Sequence, residues 1–143
     1  MTKSKYSSIA SKLKFEGRAF INGRYLEAID GKKFENINPA TGEILCTVAK
    51  CNHKDVDLAV KVSRKAFNSG VWSKISPEFR KDTLLKFADL LRKHGEENSV
   101  LECVDTGKLI GDCVNEVAND APMHFQWYGE LIDKVFGKVG PTE

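Results

Sequence analysis

The side chains best suited to chemistry are four cysteines, Cys46, Cys51, Cys103 and Cys113, and three histidines, His53, His94 and His124. Cys46 and Cys51 bracket Thr47-Val48-Ala49-Lys50 with His53 close behind, and zinc accepts Cys and His at short spacings. No Cys-x2-Cys pair occurs, and single cysteines in apolar stretches usually serve as small core residues, so a zinc site is not expected. None of the four has the local setting of a nucleophile. The glycine-rich dinucleotide turn, the P-loop, the His-Glu-x-x-His motif and the Gly-x-Ser-x-Gly elbow are all missing from these residues. Thr106-Gly107-Lys108 has the flavour of a phosphate loop without the rest of the cradle, and reads as a helix stop followed by a solvated lysine. Asp89, Glu96 and Glu97 read as solvated helix faces, since a general acid or base needs a cleft to work in. No catalytic residue is assigned on these local signals.

The elements that would position such residues change character part-way along the chain. The first 18 residues are rich in Lys and Ser without a sustained period and read as a flexible leader, 1–18. From there to Cys51 the pattern is that of short antiparallel strands in a meander. Asn22-Gly23 is the hairpin dipeptide, because both central residues of a type I′ turn need positive φ. Asp30-Gly31 and Pro39-Ala40-Thr41-Gly42 supply further turns, flanking Phe34 to Ile37, and Ile44 to Ala49 carries β-branched side chains.

After Cys51 the period becomes helical. Asn52 is placed to cap a helix whose first turn carries Asp55 and whose stripe is Val56, Ala59, Val60, Ser63 and Phe67, with Gly70 as the stop. Ser76-Pro77-Glu78 begins a second helix, with Leu84, Leu85, Ala88 and Leu91 on one face. Glu96-Glu97 opens a third, closed by Gly107. The stripe from Val114 to Val135 contains Pro122, and a proline inside a helix deletes a backbone donor. Two helices meeting near Asp120-Ala121-Pro122 are therefore expected, with Asp120 as the cap of the second. The fold class predicted for the segment is a small antiparallel β meander followed by four or five helices. No strand alternates with these helices, so a complete doubly wound sheet is not encoded here.

Composition narrows the function classes. The 143 residues carry 22 Lys and Arg against 20 Asp and Glu, a net charge of +2, too little for a committed nucleic-acid binder. No apolar run approaches the roughly 18 residues of a membrane span. Without an apolar secretory stretch after Met1, and with so few cysteines, a cytoplasmic location is expected.

The order of the segments is more informative than any one of them. Phe20-Ile21-Asn22-Gly23, then Ile37-Asn38-Pro39-Ala40-Thr41-Gly42-Glu43-Ile44, then Val56-Asp57-Leu58-Ala59-Val60 and Ala66-Phe67 resemble the N-terminal part of the aldehyde dehydrogenase superfamily. The resemblance continues through Trp72-Ser73, Arg80, Leu84-Leu85-Lys86-Phe87-Ala88-Asp89-Leu90 and Leu101-Glu102-Cys103-Val104-Asp105-Thr106-Gly107-Lys108. It closes with Trp127-Tyr128 and Asp133-Lys134-Val135-Phe136-Gly137. It departs at Leu109, where the family commonly has proline, and at Pro122, a few positions from where relatives place one.

The resemblance implies an α/β aldehyde dehydrogenase-like fold, of which residues 19–143 form an incomplete N-terminal portion of the NAD(P)-binding domain. The parent would oxidise an aldehyde to a carboxylic acid with NAD or NADP, as a homodimer or homotetramer, with no nucleic-acid or membrane partner. The family's cofactor lysine, glycine-rich turn, general base and nucleophilic cysteine all fall beyond Glu143, so this chain alone is expected to be inactive. The helix stripes would pack on a sheet encoded downstream, and alone the chain should be marginally stable or self-associate. The alternative is a stand-alone, non-catalytic interaction module that reuses this part of the fold.

Two site assignments follow from the resemblance. Asn36, Ile37 and Asp105 match positions with which many members hold a monovalent cation, Na+ or K+. The alternative is that Asp105 tethers the Thr106-Gly107 turn. Glu116, Asp120 and Trp127 match the mouth of the substrate tunnel, where an acid near Asp120 occurs in members that prefer cationic aldehydes. Trp127 would add a cation–π contact there.

Overall fold

The computed structural model describes residues 5–137. The first residues of the expected leader and the terminal Gly140-Pro141-Thr142-Glu143 lie outside them. Within the stretch read as a leader, Lys5–Ala10 form a short helix, α1, against α4 (Gly95–Thr106), with Lys5 ion-paired to Glu96. The chain then passes along the sheet, where the Ala49 N–H donates to the Gly17 carbonyl at 2.7 Å.

Strands β1 (Ala19–Ile21) and β2 (Arg24–Leu26) form the expected hairpin. Asn22 and Gly23 have φ of 54° and 73°, the two positive angles that a type I′ turn requires. Strands β3 (Lys33–Ile37) and β4 (Ile44–Ala49) form a second antiparallel pair around the Pro39-Ala40-Thr41-Gly42 turn. The two pairs are separate sheets, where the sequence suggested one meander. The reason lies in the connection between β2 and β3. The backbone N–H of Ile29 donates to Asp55 at 2.9 Å, which ties this stretch to the start of a helix and away from a ladder.

That helix is α2 (His53–Ser69), and its start is a reciprocal capping box. Asn52 accepts the Lys54 N–H at 2.8 Å, and Asp55 accepts the Asn52 N–H at 2.8 Å. Asp55 thus holds two backbone donors from different parts of the chain, and it is 97% hidden from solvent, at 3% relative exposure. At the far end Gly70 takes a left-handed conformation, as expected of a stop.

The helices α3 (Pro77–Lys93) and α6 (Ala121–Leu131) pack together, joined with α4 by small residues. A side chain at Gly129 would meet Leu84, and one at Gly95 would lie 2.8 Å from the Ala118 Cβ. Ala88 and Ser99 are fully buried beside these approaches. Phe87 and Phe125 close the α3–α6 seam edge to face, with ring centroids 4.7 Å apart. At the other end, hydrogen bonds from Lys134 and then from Lys81 lower the pKa of the Asp133 carboxyl to about 2.

The expected break at Pro122 does not occur. After a single turn, α5 (Ile110–Cys113), the chain continues as a π-helical segment, Val114–Asp120, directly into α6. Asp120 and Ala121 both keep right-handed helical angles, and the Ala121 N–H bonds to the Glu116 carbonyl, one residue further back than in an α-helix. The wider turn lets the helical path run through a proline that has no N–H to give. Asp120 is consequently no cap: it sits inside the helical path with no side-chain bond to a following N–H.

Much apolar surface stays uncovered. On α2, Val56, Val60 and Phe67 are all more than half exposed, although the sequence places them on one stripe. Among the described residues, no helix is long and apolar enough to cross a membrane.

Asp55 offers a direct test of this account. Asp55→Ala strands the N–H groups of Ile29 and Asn52 and should destabilise the chain by about 2–3 kcal/mol. Urea unfolding with an unchanged m-value checks it, and Asp55→Asn, which keeps one acceptor, should cost less.

Candidate functional site

Of the three residues expected to hold a cation, Asn36 and Asp105 meet through a hydrogen bond, and Ile37 follows Asn36 at the end of β3. Asn36 lies on β3 where the ladder slips, pairing with Cys46 while Ile37 pairs with Ile44. That irregularity turns the strand end toward the last turn of α4, where the Asn36 Nδ2 donates to the Asp105 Oδ1 at 2.5 Å. Gly107, in a left-handed conformation, ends α4 by donating its N–H to the Cys103 carbonyl. A Cβ on Gly107 would lie 2.8 Å from Pro39, so this close approach also needs glycine. Two contacts thus fasten the β3–β4 turn to the end of α4.

The Asn36–Asp105 hydrogen bond ties β3 to the last turn of α4. Among the described residues no cluster of three His, Cys, Asp or Glu side chains is built to hold a metal. All four cysteines are free thiols. Cys113 is buried, which pushes its thiol up, while Cys103 donates to the Lys108 carbonyl. Neither is set up as a nucleophile.

The residues expected at a tunnel mouth are divided by the structure. Lys108 reaches across from the α4–α5 connection and pairs with Glu116 at 2.6 Å. Its hydrogen bond to Glu116, and then the charge of that carboxylate, raise Lys108 above an ordinary lysine. Lys108 also lies 3.6 Å from Glu102, so its one charge is shared between two carboxylates. Asp120 keeps an exposed carboxylate with no hydrogen bond or ion pair among the described residues. Its backbone carbonyl is engaged instead, 2.8 Å from the His124 Nδ1. A carbonyl only accepts, so this contact puts a proton on Nδ1.

Asp120, His124 and Trp127 follow one another at helical spacing and share a face. Trp127 is 61% exposed, and with Met123, His124 and Tyr128 it lines a shallow cavity of about 300 Å3. Asp120 stands two helical turns before Trp127 and does not line that cavity, so a negative charge and an open indole face lie along one side of the helix. Local sequence signals did not reveal the Lys108–Glu116 pair, which joins two elements, nor the His124 contact, which depends on the helix continuing through Pro122.

Comparison with known proteins places this geometry. The sequence profile of the aldehyde dehydrogenase family matches residues 25–143. The chain belongs to the aldehyde dehydrogenase family. It is 39% identical to the aminoacetaldehyde dehydrogenase of Pseudomonas aeruginosa, over 99% of this chain and 29% of that protein. It is 41% identical to the NADP/NAD-dependent aldehyde dehydrogenase PuuC of Escherichia coli, over 93% of this chain and 27% of that one. The fold superposes on the indole-3-acetaldehyde dehydrogenase AldA of P. syringae, solved with NAD+ and IAA. There the TM-score is 0.90 and the identity 41%, over 96% of this chain and 28% of that chain. The chain thus spans under a third of the length of the relatives it matches.

The fit to a dinucleotide can be tested on the residues themselves. The described strands are two antiparallel hairpins, and no glycine-rich strand-to-helix turn occurs in this sequence.

If Asn36 and Asp105 act as a tether, exchanging KCl or NaCl for choline chloride at equal ionic strength should leave the melting temperature unchanged. Asn36→Ala should lower stability by about 0.5–1.5 kcal/mol in all three salts. Stabilisation specific to K+ or Na+ would restore the cation-site assignment.

Proposed function

We propose that this chain serves as the first part of an NAD(P)-dependent aldehyde dehydrogenase that oxidises a cationic aldehyde to its acid. The observation that carries the reading is the exposed, unpaired Asp120 carboxylate on the same helical face as Trp127. Family membership supports the oxidation, but does not choose the substrate. The relatives are named for aminoacetaldehyde, which carries an ammonium, and for indole-3-acetaldehyde, which carries no charge. A carboxylate on the same helical face as an exposed indole favours the former by charge, and the ring adds cation–π attraction of roughly 0.5–2 kcal/mol. Glu116, paired with a lysine that it shares with Glu102, is less available to a cation than Asp120.

NAD(P) supplies the hydride acceptor when bound by the complete fold. This chain's residues contribute to substrate orientation: Asp120 attracts the charged end, Trp127 covers it, and the π-helical turn sets the carboxylate's place along the helix. The nucleophile and the base belong to segments with no counterpart in these residues. The parent is proposed to be a cytoplasmic homodimer or homotetramer.

Two measurements check this. The purified chain mixed with an aldehyde and NAD+ or NADP+ should give no growth in the absorbance of reduced cofactor, and any turnover by the chain alone would refute the division of labour. In a family-length enzyme carrying this sequence as its first part, Asp120→Asn should raise KM for an aminoaldehyde about 3–10-fold, with kcat and the KM of a neutral aldehyde of similar size unchanged. Equal effects on both substrates would remove the cation reading.

A further inference from the structure

Of the side chains that line the cavity on α6, Trp127 offers an indole N–H, Met123 a weak thioether and Tyr128 a hydroxyl that both donates and accepts. His124 differs. Its Nδ1 lies 2.8 Å from the Asp120 carbonyl, and because that carbonyl only accepts, the proton of the neutral ring is held on Nδ1. Nε2 is then a bare acceptor, with no hydrogen bond or ion pair among the described residues.

The charged groups around it are engaged elsewhere. From α3, Arg92 bonds Gln126 and Lys81 bonds Asp133 just past the end of α6. In the π-helical segment Glu116 pairs with Lys108, which leaves Asp120 as the charge one helical turn from His124.

An exposed indole attracts primary and quaternary ammonium groups by the same cation–π force. A carboxylate attracts both by charge. Neither can tell them apart through a directed bond. A hydrogen-bond acceptor can, because a primary ammonium carries three N–H donors and a trimethylammonium carries none. An acceptor that gives up water without gaining a donor adds a penalty against the quaternary group.

We propose that His124 is a specificity-determining residue that selects a primary ammonium over a quaternary one, its Nε2 accepting an N–H from the charged end of the aldehyde. The proposal rests on the reading of the substrate as a cationic aldehyde and narrows it to aldehydes whose nitrogen keeps its hydrogens. Asp120 draws in charge of either kind, Trp127 covers it, and His124 discriminates.

The test uses the chain itself and three unreactive probes built on one hydroxyethyl unit: ethanolamine, a primary ammonium; choline, a quaternary one; and uncharged ethylene glycol. NMR titration at about pH 8, above the ordinary range of histidine, follows the His124 ring nitrogens and the Trp127 indole N–H. The signals are assigned by loss in His124→Phe and Trp127→Phe. The ring proton is expected on Nδ1. Both cations should shift the Trp127 signal and ethylene glycol should not, with ethanolamine binding about 3–10-fold tighter than choline. His124→Phe should abolish that preference, and His124→Gln, which keeps an acceptor, should retain part of it.

A ring proton found on Nε2 would overturn the proposal. So would equal affinity for the two cations, or a preference that survives His124→Phe and disappears in Tyr128→Phe. If Trp127 responds to both cations alike and not to ethylene glycol, the cationic reading stands and the role of His124 falls. If no probe shifts Trp127, or ethylene glycol matches the cations, the cationic reading falls with it.

Discussion

The close approach of helices at small residues is the constraint on which the rest of this structure depends. Gly129 lets α6 settle against Leu84 on α3, and Gly95 lets α4 settle against Ala118 in the π-helical segment. Ala88 and Ser99 add no bulk between them, and the Ser99 hydroxyl turns back to the Gly95 carbonyl. With few large side chains fully buried, helix positions are set by backbone proximity and by the Phe87–Phe125 contact. The place of α6 then decides where Asp120 and Trp127 sit. It also decides how far Lys108 must reach to meet Glu116.

The π-helical turn is the local expression of that constraint. A proline in a regular helix would leave a carbonyl without a donor and push against the preceding turn. Widening the helix over Val114–Asp120 absorbs the fault without a break, so that Pro122 can be buried against the neighbouring helices. Wide turns of this kind are often found at functional positions. Here the turn ends on Asp120, the residue whose carboxylate stays unpaired. An α-helical path or a clean break would each have aimed that side chain elsewhere.

Hairpins and helices are joined by polar ties more than by a shared core. Asp55 anchors the β2–β3 connection to α2, Asn36 joins β3 to Asp105 on α4, and Pro39 rests on Gly107. These contacts hold the sheets in place while α2 leaves its apolar stripe open. The superposition on AldA, a far longer chain, shows that the hairpins and helices keep the family arrangement.

What the sequence by itself determined is local. The Asn22-Gly23 turn, the Asn52–Asp55 capping box, Ser76-Pro77 at the start of α3, and the Gly70 and Gly107 stops are written in neighbouring residues. Their backbone angles or hydrogen bonds involve only a few positions, so the residue types suffice to specify them. The family, too, was legible, in the order of short segments along the chain. The site was legible in part: Asn36 and Asp105 do meet, and Asp120 does share a face with Trp127. Tertiary structure alone decided that Asn36 offers Asp105 a donor, that Lys108 takes Glu116 and leaves Asp120 free, and that the strands form two sheets. Each of these depends on which groups from distant segments reach one another first, and a hydrogen-bonding group has no partner until packing brings one within about 3 Å.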